Sequence, residues 1–292
     1  MSDVDRSLGF TITSRHARGR LVRLGPVLES IITAHNYPPV IAQLLSEALV
    51  LTALFGALLK DEAGQMTLQA QTDGGVIDLL VCDYRGGEVR GYVQFDAERF
   101  AEMPAQPTLF ALFGKAYLAV TFDQPATNER YQGIVPLDGN SLAEAAESYF
   151  AQSEQIPSLL RITVGNGVAG GLLLQHLPEG EDGRERLHTR LDHPEWEHVA
   201  IMAQTISPDE LTDTTLPLET IVWRLFHEEP EVRVLGGAAL SKGCRCNVAH
   251  IRDVLLRFPD SERTSMADVN GMIGVDCAFC SRTFPISAQG LD

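Results

Sequence analysis

Four cysteines carry the clearest chemistry in this chain. They stand as Cys244-Arg-Cys246 and Cys277-Ala-Phe-Cys280, with thirty residues (247–276) between the pairs. Two close thiol pairs brought together by a fold make a tetrathiolate cage, the ligand set that zinc prefers at a structural site. The CxxC pair is the common knuckle. The CxC pair is rarer, because one residue between two ligands strains a cage and keeps both sulfurs close enough to react with each other. The same four residues can hold a metal as thiolates or close into two local disulfides. A fifth cysteine, Cys82, lies inside an apolar run and reads as an inert core thiol.

Other chemical signatures are absent from the sequence. There is no Walker motif and no GxSxG nucleophile turn. Gly165-Asn-Gly167 and Gly170-Gly171 lack the strand–loop–helix context and trailing acid of a dinucleotide site, and read as a glycine-rich strand end. Cys277 and Cys280 do not open a helix after a strand, which separates them from a thioredoxin-like redox motif. His188, His193, His198, His227 and His250 are scattered and read as surface or packing residues. Only His250, near Cys246, offers a substitute ligand. With no catalytic constellation, the chain reads as a non-enzyme.

Composition bounds the function further. The 292 residues are 45% hydrophobic, enough for a sizeable core, and the net charge is −16. An acidic balance argues against nucleic acid as a partner, since phosphate attraction needs a strong basic patch. Arg15, Arg18, Arg20 and Arg23 come nearest to one, and read as the solvated face of a helix or strand. Met1–Asp5 opens acidic, without the apolar region of a signal peptide. The longest apolar stretch, Ala48 to Leu59, is too short to span a bilayer. The expectation is a cytoplasmic protein with no membrane partner. In a reducing compartment five cysteines serve metal or redox chemistry better than a static disulfide framework.

The elements that must position the cysteines follow from periodicity and punctuation. Pro38-Pro39 opens a helix to about Lys60 whose apolar residues run almost all round, as in a helix buried against a sheet. Strands are expected over Met66–Thr72, Val76–Tyr84, Glu88–Phe95, Ala116–Phe122, Tyr131–Leu137, Leu159–Val164 and Ala169–His176. Asp73-Gly74-Gly75 and Arg85-Gly86-Gly87 are hairpin turn signals, so the sheet should be antiparallel. Ser141-Leu-Ala-Glu144 is a capping box starting a helix to about Gln155. Glu179–Leu191, charged and glycine-containing, reads as a linker. Beyond it Trp196, Val199, Ala200 and Ala203 fall at helical spacing, Ser207-Pro-Asp-Glu210 is a further N-cap, and Pro217–Glu229 puts Leu218, Ile221, Val222 and Leu225 on one helical face. This helical stretch is too small to stand alone and must pack on something. Between the cysteine pairs, Ile251, Val254, Leu255 and Phe258 mark a helix over Val248–Phe258. Met272–Val275 and Thr283–Ile286 fit a short hairpin around the CxxC. So small a unit with so few large apolar residues needs a staple, and one zinc ion would supply it.

The fold class is therefore α+β in three parts: an N-terminal mixed α/β sheet domain (1–178), a helical linker domain (179–235) and a small C-terminal zinc-binding domain (236–292). The whole chain resembles the bacterial 33 kDa chaperonin family of redox-regulated heat-shock proteins. The resemblance rests on the CxC and CxxC pairs at this separation, and on Arg90-Gly-Tyr92, Tyr131-Gln-Gly-Ile-Val135, Tyr149-Phe-Ala-Gln-Ser-Glu-Gln155 and Leu225-Phe-His-Glu-Glu229. Asn247 stands where the family often has Ser after the CxC, and the region between the pairs differs from better-known members. The resemblance implies an ATP-independent holdase for unfolding proteins, inactive when reduced and zinc-bound, switched on by oxidants, and dimeric when activated.

On that basis Cys244, Cys246, Cys277 and Cys280 would bind one Zn²⁺ in the reduced state. The pair spacing favours Cys244–Cys246 and Cys277–Cys280 as the disulfides of the oxidised state. Leu218, Ile221, Val222 and Leu225 are the candidates for client contact. Two rival readings remain open: a zinc-ribbon binding module, whose knuckles should be basic, and a thiol oxidoreductase using Cys277 and Cys280. Lys242, Arg245 and Arg282 are offset by Asp276, Asp268 and Glu262, which counts against the first.

Overall fold

The computed structural model describes residues 3–72, 74–177 and 193–288. A hairpin of β1 (Arg6–Ile12) and β2 (Ala17–Leu24) leads through α1 (Pro26–Ile32) into α2 (Pro39–Gly56). β3 (Gln65–Thr72), β4 (Ile77–Arg85) and β5 (Glu88–Phe95) follow, then α3 (Ala97–Ala101), α4 (Leu109–Phe113), β6 (Ala116–Gln124), β7 (Glu129–Pro136), α5 (Leu142–Tyr149), β8 (Ser158–Gly165) and β9 (Val168–His176). The remainder is α6 (Pro194–Gln204), α7 (Pro208–Thr212), α8 (Leu218–Phe226), β10 (Val232–Leu235), β11 (Ser241–Lys242), α9 (Val248–Leu255), α10 (Asp260–Met266), β12 (Met272–Asp276) and β13 (Thr283–Ser287). Asp73, the expected linker Glu179–Leu191 and His188 lie outside the described residues.

Among the described residues the strands form three sheets, in the orders β10-β1-β2-β9-β8, β11-β5-β4-β3-β6-β7 and β12-β13. Every pairing is antiparallel except β11, which runs parallel to β5. α2 lies between the two large sheets, against β3, β4 and β5 on one side and β2, β8 and β9 on the other. That position explains its composition. A helix with sheets on two sides must be apolar nearly all round. It is long and apolar enough to cross a membrane, but 72% of it is buried inside the protein. Its one carboxylate, Glu47, accepts the backbone N–H of Ala143 at 3.0 Å, and burial pushes its pKa up.

The turn between β4 and β5 is short because Gly86 and Gly87 both take positive φ, 54° and 84°, as a two-residue type I′ hairpin requires. On β5, a Cβ at Gly91 would stand 2.5 Å from the Cys82 sulfur. Cys82 is fully buried, and burial raises its pKa, so it is an inert core thiol.

The five-stranded sheet has two buried faces. One packs on α2; the other is covered by α6, α7 and α8. Leu8, Phe10, Ile12, Leu21, Leu172 and Leu174 meet Trp196, Val199, Ala203, Leu211 and the apolar face of α8 in one cluster. β9 therefore reads as an unbroken apolar run rather than an alternating one. After α8 the chain returns to the sheets. β10 pairs with β1, β11 pairs with β5, and Leu240 joins the main core.

Three details differ from the sequence reading. Residues 6–24, for which no strands were expected, form the hairpin of β1 and β2, and their arginines are not a solvated face. Arg18 and Arg20 bond Gln175 Oε1 and the Ala57 carbonyl at 3.0 and 3.2 Å. Arg23 is 0% exposed and donates to the carbonyls of Leu211 (3.0 Å), Leu216 (2.8 Å) and Glu210 (3.0 Å). Leu211 and Glu210 belong to α7, so a buried cation meets the carbonyl end of a helix. The expected capping box at Ser141 is half formed: Ser141 Oγ accepts from Glu144 N, but the Glu144 carboxylate turns to Asn140 N at 2.8 Å. The box at Ser207 and Glu210 is complete. Finally, the helix between the cysteine pairs ends at Leu255. Ile251 and Leu255 are buried, while Val254 and Phe258 are 37% and 38% exposed.

The helical segment is also latched by charge. The buried Glu229 carboxylate accepts from Arg15 Nε (2.9 Å) and Ser14 Oγ (3.2 Å), and lies 2.8 Å from His198 Nε2. Burial opposes its ionisation, but these partners outweigh burial and hold its pKa below the ordinary value. A depressed carboxylate pKa contributes stability that is present at neutral pH and is lost as pH falls through the folded-state value. Glu229→Gln should cost about 1–3 kcal/mol at neutral pH and flatten the acid limb of the stability curve. Urea midpoints between neutral pH and the carboxylate range check this; a variant curve parallel to wild type would remove Glu229 from the acid response.

Candidate metal centre

The two cysteine pairs are held by different supports. β11 ties the chain just before the CxC to the edge of the six-stranded sheet. Gly243 N donates to the Val89 carbonyl at 2.9 Å, and Arg245 donates to Gln65 Oε1 at 2.5 Å. The CxxC occupies the connection between β12 and β13. Cys277 N donates to the Arg282 carbonyl, and Cys280 N and Ser281 N both donate to the Cys277 carbonyl. Ser281 takes a positive φ of 53°, which closes the turn.

These supports bring all four sulfurs within 4.8 Å of one another. Cys244 Sγ lies 3.1 Å from Cys246 Sγ and 3.6 Å from Cys277 Sγ, and Cys246 Sγ lies 3.6 Å from Cys280 Sγ. Four sulfurs at about 2.3 Å from one tetrahedral ion stand about 3.8 Å apart. A disulfide needs about 2.05 Å. The spacing thus fits a metal cage, and all four thiols are free. His250 is outside the cluster. It is exposed, and its backbone N–H donates to Asn247 Oδ1 at 2.7 Å.

The thiols polarise one another. Burial opposes ionisation of Cys244, but donors from Cys246, Cys280 and Cys277 bring its pKa down to about 7. Burial and the neighbouring sulfurs push Cys246 up, and burial leads the rise at Cys280. A divalent ion held by the four sulfurs would favour the thiolate form of each.

A contact the sequence reading missed joins this knuckle to the sheet. The Phe279 ring meets Tyr92 edge-on, with centroids 5.0 Å apart, and the Arg90 guanidinium lies 3.9 Å above it. Arg90 is held by Asp83 at 2.6 Å. His35 Nε2 lies 3.2 Å from the Phe279 carbonyl, and His35 Nδ1 lies 2.8 Å from Ser281 Oγ. A carbonyl only accepts, so Nε2 carries the proton and Nδ1 accepts from the serine. Burial lowers the His35 pKa, which favours this neutral form. An aromatic residue between two ligands was the available signal. Phe279→Ala should keep the metal site intact but loosen docking by about 1–2 kcal/mol. Metal release after oxidant should be faster in the variant, as followed with a chromogenic chelator; unchanged kinetics would show that docking does not restrain the cage.

The four client-contact candidates are elsewhere. Leu218, Ile221, Val222 and Leu225 are 0, 1, 1 and 8% exposed, facing the five-stranded sheet.

Comparison with known proteins places this architecture. A family model described as Hsp33 protein matches residues 5–287. The chain belongs to the Hsp33 family. A 33 kDa chaperonin of Caulobacter vibrioides is 38% identical, with 96% of this chain and 94% of that protein covered. One of Yersinia pestis is 34% identical, with 99% and 94% covered. The crystal structure of a Thermotoga maritima 33 kDa chaperonin shares the fold, with a TM-score of 0.79 at 24% identity over 98% of this chain and 96% of that one. Hsp33 proteins are a chaperone family rather than an enzyme family, and a chaperone role implies binding of client proteins. In this Hsp33 chain the four cysteines converge in one cluster that could hold a metal ion.

Proposed function

We propose that this chain is a redox-switched, ATP-independent holdase. Reduced, it would hold one Zn²⁺ on Cys244, Cys246, Cys277 and Cys280; oxidised, it would bind unfolding proteins. The observation that carries the reading is the cluster of four free sulfurs at the head of a unit with a very small core. Among the described residues, its buried core is Ile251, Leu255, Ile273 and Ile286, with Ala267, Val275, Phe284 and Ala288 partly buried against them. Such a core supplies only a few kcal/mol, whereas structural zinc contributes about 10–16 kcal/mol of apparent binding energy that is also folding energy. We take residues 1–178, 179–235 and 236–292 as the three functional units.

Peroxide would react at a thiolate. The sulfur attacks one peroxide oxygen, the O–O bond breaks, and sulfenic acid and hydroxide form. A neighbouring thiol then displaces water to give a disulfide. In the zinc-bound form all four sulfurs would be thiolates, and Cys246 at 3.1 Å is the nearest resolving partner for Cys244. Disulfides Cys244–Cys246 and Cys277–Cys280 close short loops and constrain an unfolded chain little, so they would not replace the metal as a staple.

Release of the 244–288 unit would strip Phe279 from Tyr92 and free the strands leading back to the sheets. The α6–α8 layer would then lift, exposing Leu218, Ile221, Val222 and Leu225 and the sheet face beneath. Exposed apolar patches of this kind bind other apolar surfaces. The net charge of −16 would keep protein and client soluble. Dimerisation of the oxidised form and residence in the reducing cytoplasm complete the proposal.

The test is light scattering from a thermally unfolding client. Added protein is either reduced and zinc-loaded or pre-oxidised with peroxide at heat-shock temperature. Suppression by the oxidised form alone supports the switch. Failure of both forms removes the holdase reading and favours a zinc-ribbon binding module.

A further inference from the structure

We propose that His176, His193 and Glu195 form a second metal site, selective for a divalent first-row transition ion and separate from the cysteine cage. His176 is the last residue of β9; His193 caps α6 and Glu195 lies in its first turn. One ring nitrogen from each histidine and one carboxylate oxygen lie within 4.8 Å of one another. Ligands at about 2.1 Å from a tetrahedral ion stand about 3.4 Å apart, so small side-chain turns would close the three around a common centre. Two imidazoles and a carboxylate suit zinc, cobalt, nickel or iron; magnesium and calcium prefer oxygen ligands alone.

Packing explains part of this cluster. The rings of His176 and His193 lie 5.0 Å apart, and Trp196 lies 6.1 Å from His176. Packing does not explain the carboxylate. Glu195 Oε2 is buried, and among the described residues it accepts no hydrogen bond. A buried carboxylate oxygen without a donor is unfavourable. Arg15 exerts a Coulombic pull in this region, but its guanidinium is engaged by Glu229 at 2.9 Å. Among the described residues, the hydrogen bond that holds the His193 ring, from Glu195 N to Nδ1, is long at 3.4 Å. The ring gives up little by turning to an ion.

The site joins the end of a central strand to the start of the helical layer that covers it. A bound ion would pin α6 to the five-stranded sheet and oppose its lifting. That consequence rests on the proposed function; the binding itself does not.

Cobalt titration of the full-length, zinc-replete protein tests the site. The expected result is one further equivalent bound, with weak visible d–d absorption and no thiolate-to-cobalt charge transfer in the near ultraviolet. His193→Gln and Glu195→Gln should each weaken this equivalent by more than the roughly 10–100-fold typical of losing an outer-shell partner. Thermal unfolding without cobalt serves as the check on folding, and cobalt should raise the unfolding temperature of wild type only. No further equivalent, absorption with thiolate character alone, or undiminished binding in both variants overturns the site. None of these outcomes depends on holdase activity.

Discussion

Replacing Cys277 by serine is expected to unfold the 244–288 unit and raise resting holdase activity without any oxidant. Cys277 Sγ lies 3.6 Å from Cys244 Sγ, and its backbone carbonyl and N–H also organise the knuckle turn. A serine hydroxyl is not a thiolate, so the ligand set drops to three. The loss comes out of about 10–16 kcal/mol of metal-linked folding energy, while Ile251, Leu255, Ile273 and Ile286 form the only apolar core among the described residues of this unit. Zinc stoichiometry by chelator assay and far-ultraviolet dichroism would read the effect directly. A variant that keeps full zinc and stays inactive would show that the cage does not gate the chaperone.

The second large effect is expected far from the metal. Arg23→Met should release the helical layer while zinc stays at one equivalent. The arginine is fully buried between β2 and α7, and four backbone carbonyls face it: Leu211, Leu216, Glu210 and, at 3.4 Å, Asp3. Methionine fills much of the volume but donates nothing. Removing one partner of a buried charged network costs about 3–5 kcal/mol, because the buried carbonyls of Leu211, Leu216 and Glu210 lose the guanidinium that donates to them. The outcome should be holdase activity in the reduced, zinc-loaded state, with faster proteolysis around α6–α8. Zinc retention combined with wild-type inactivity would mean that lifting the helical layer is not the activating step.

Much of this architecture was legible in the sequence where a single pattern decides. Glu88–Phe95 follows the Arg85-Gly86-Gly87 turn signal and forms a strand over those residues. Leu218, Ile221, Val222 and Leu225 recur at helical spacing and are all buried. The cysteines stand as two close pairs, CxC and CxxC, a pattern that points to metal or redox chemistry, and their sulfurs do converge. What escaped notice depends on tertiary context. β1 and β2 are rich in arginine, and four arginines in nine residues look solvated until the partners are known. Arg23 is buried because α7 presents its carbonyls across nearly two hundred residues of sequence. Phe279 lies between two ligands, and its role appears only when Arg90 and Tyr92 are brought beneath it. His193 reads as a surface or packing residue, since His176, its partner at the end of β9, is distant in sequence.

The central claim is that the state of the cysteine cage controls whether the apolar layer between α6–α8 and the five-stranded sheet is open. Amide hydrogen exchange in α6 and α8, measured on reduced zinc-loaded protein and on peroxide-treated zinc-free protein at heat-shock temperature, tests it most directly. The account predicts that these helices lose protection on oxidation while β3, β4 and α2 stay protected. Helices as protected after zinc loss as before it would contradict the account.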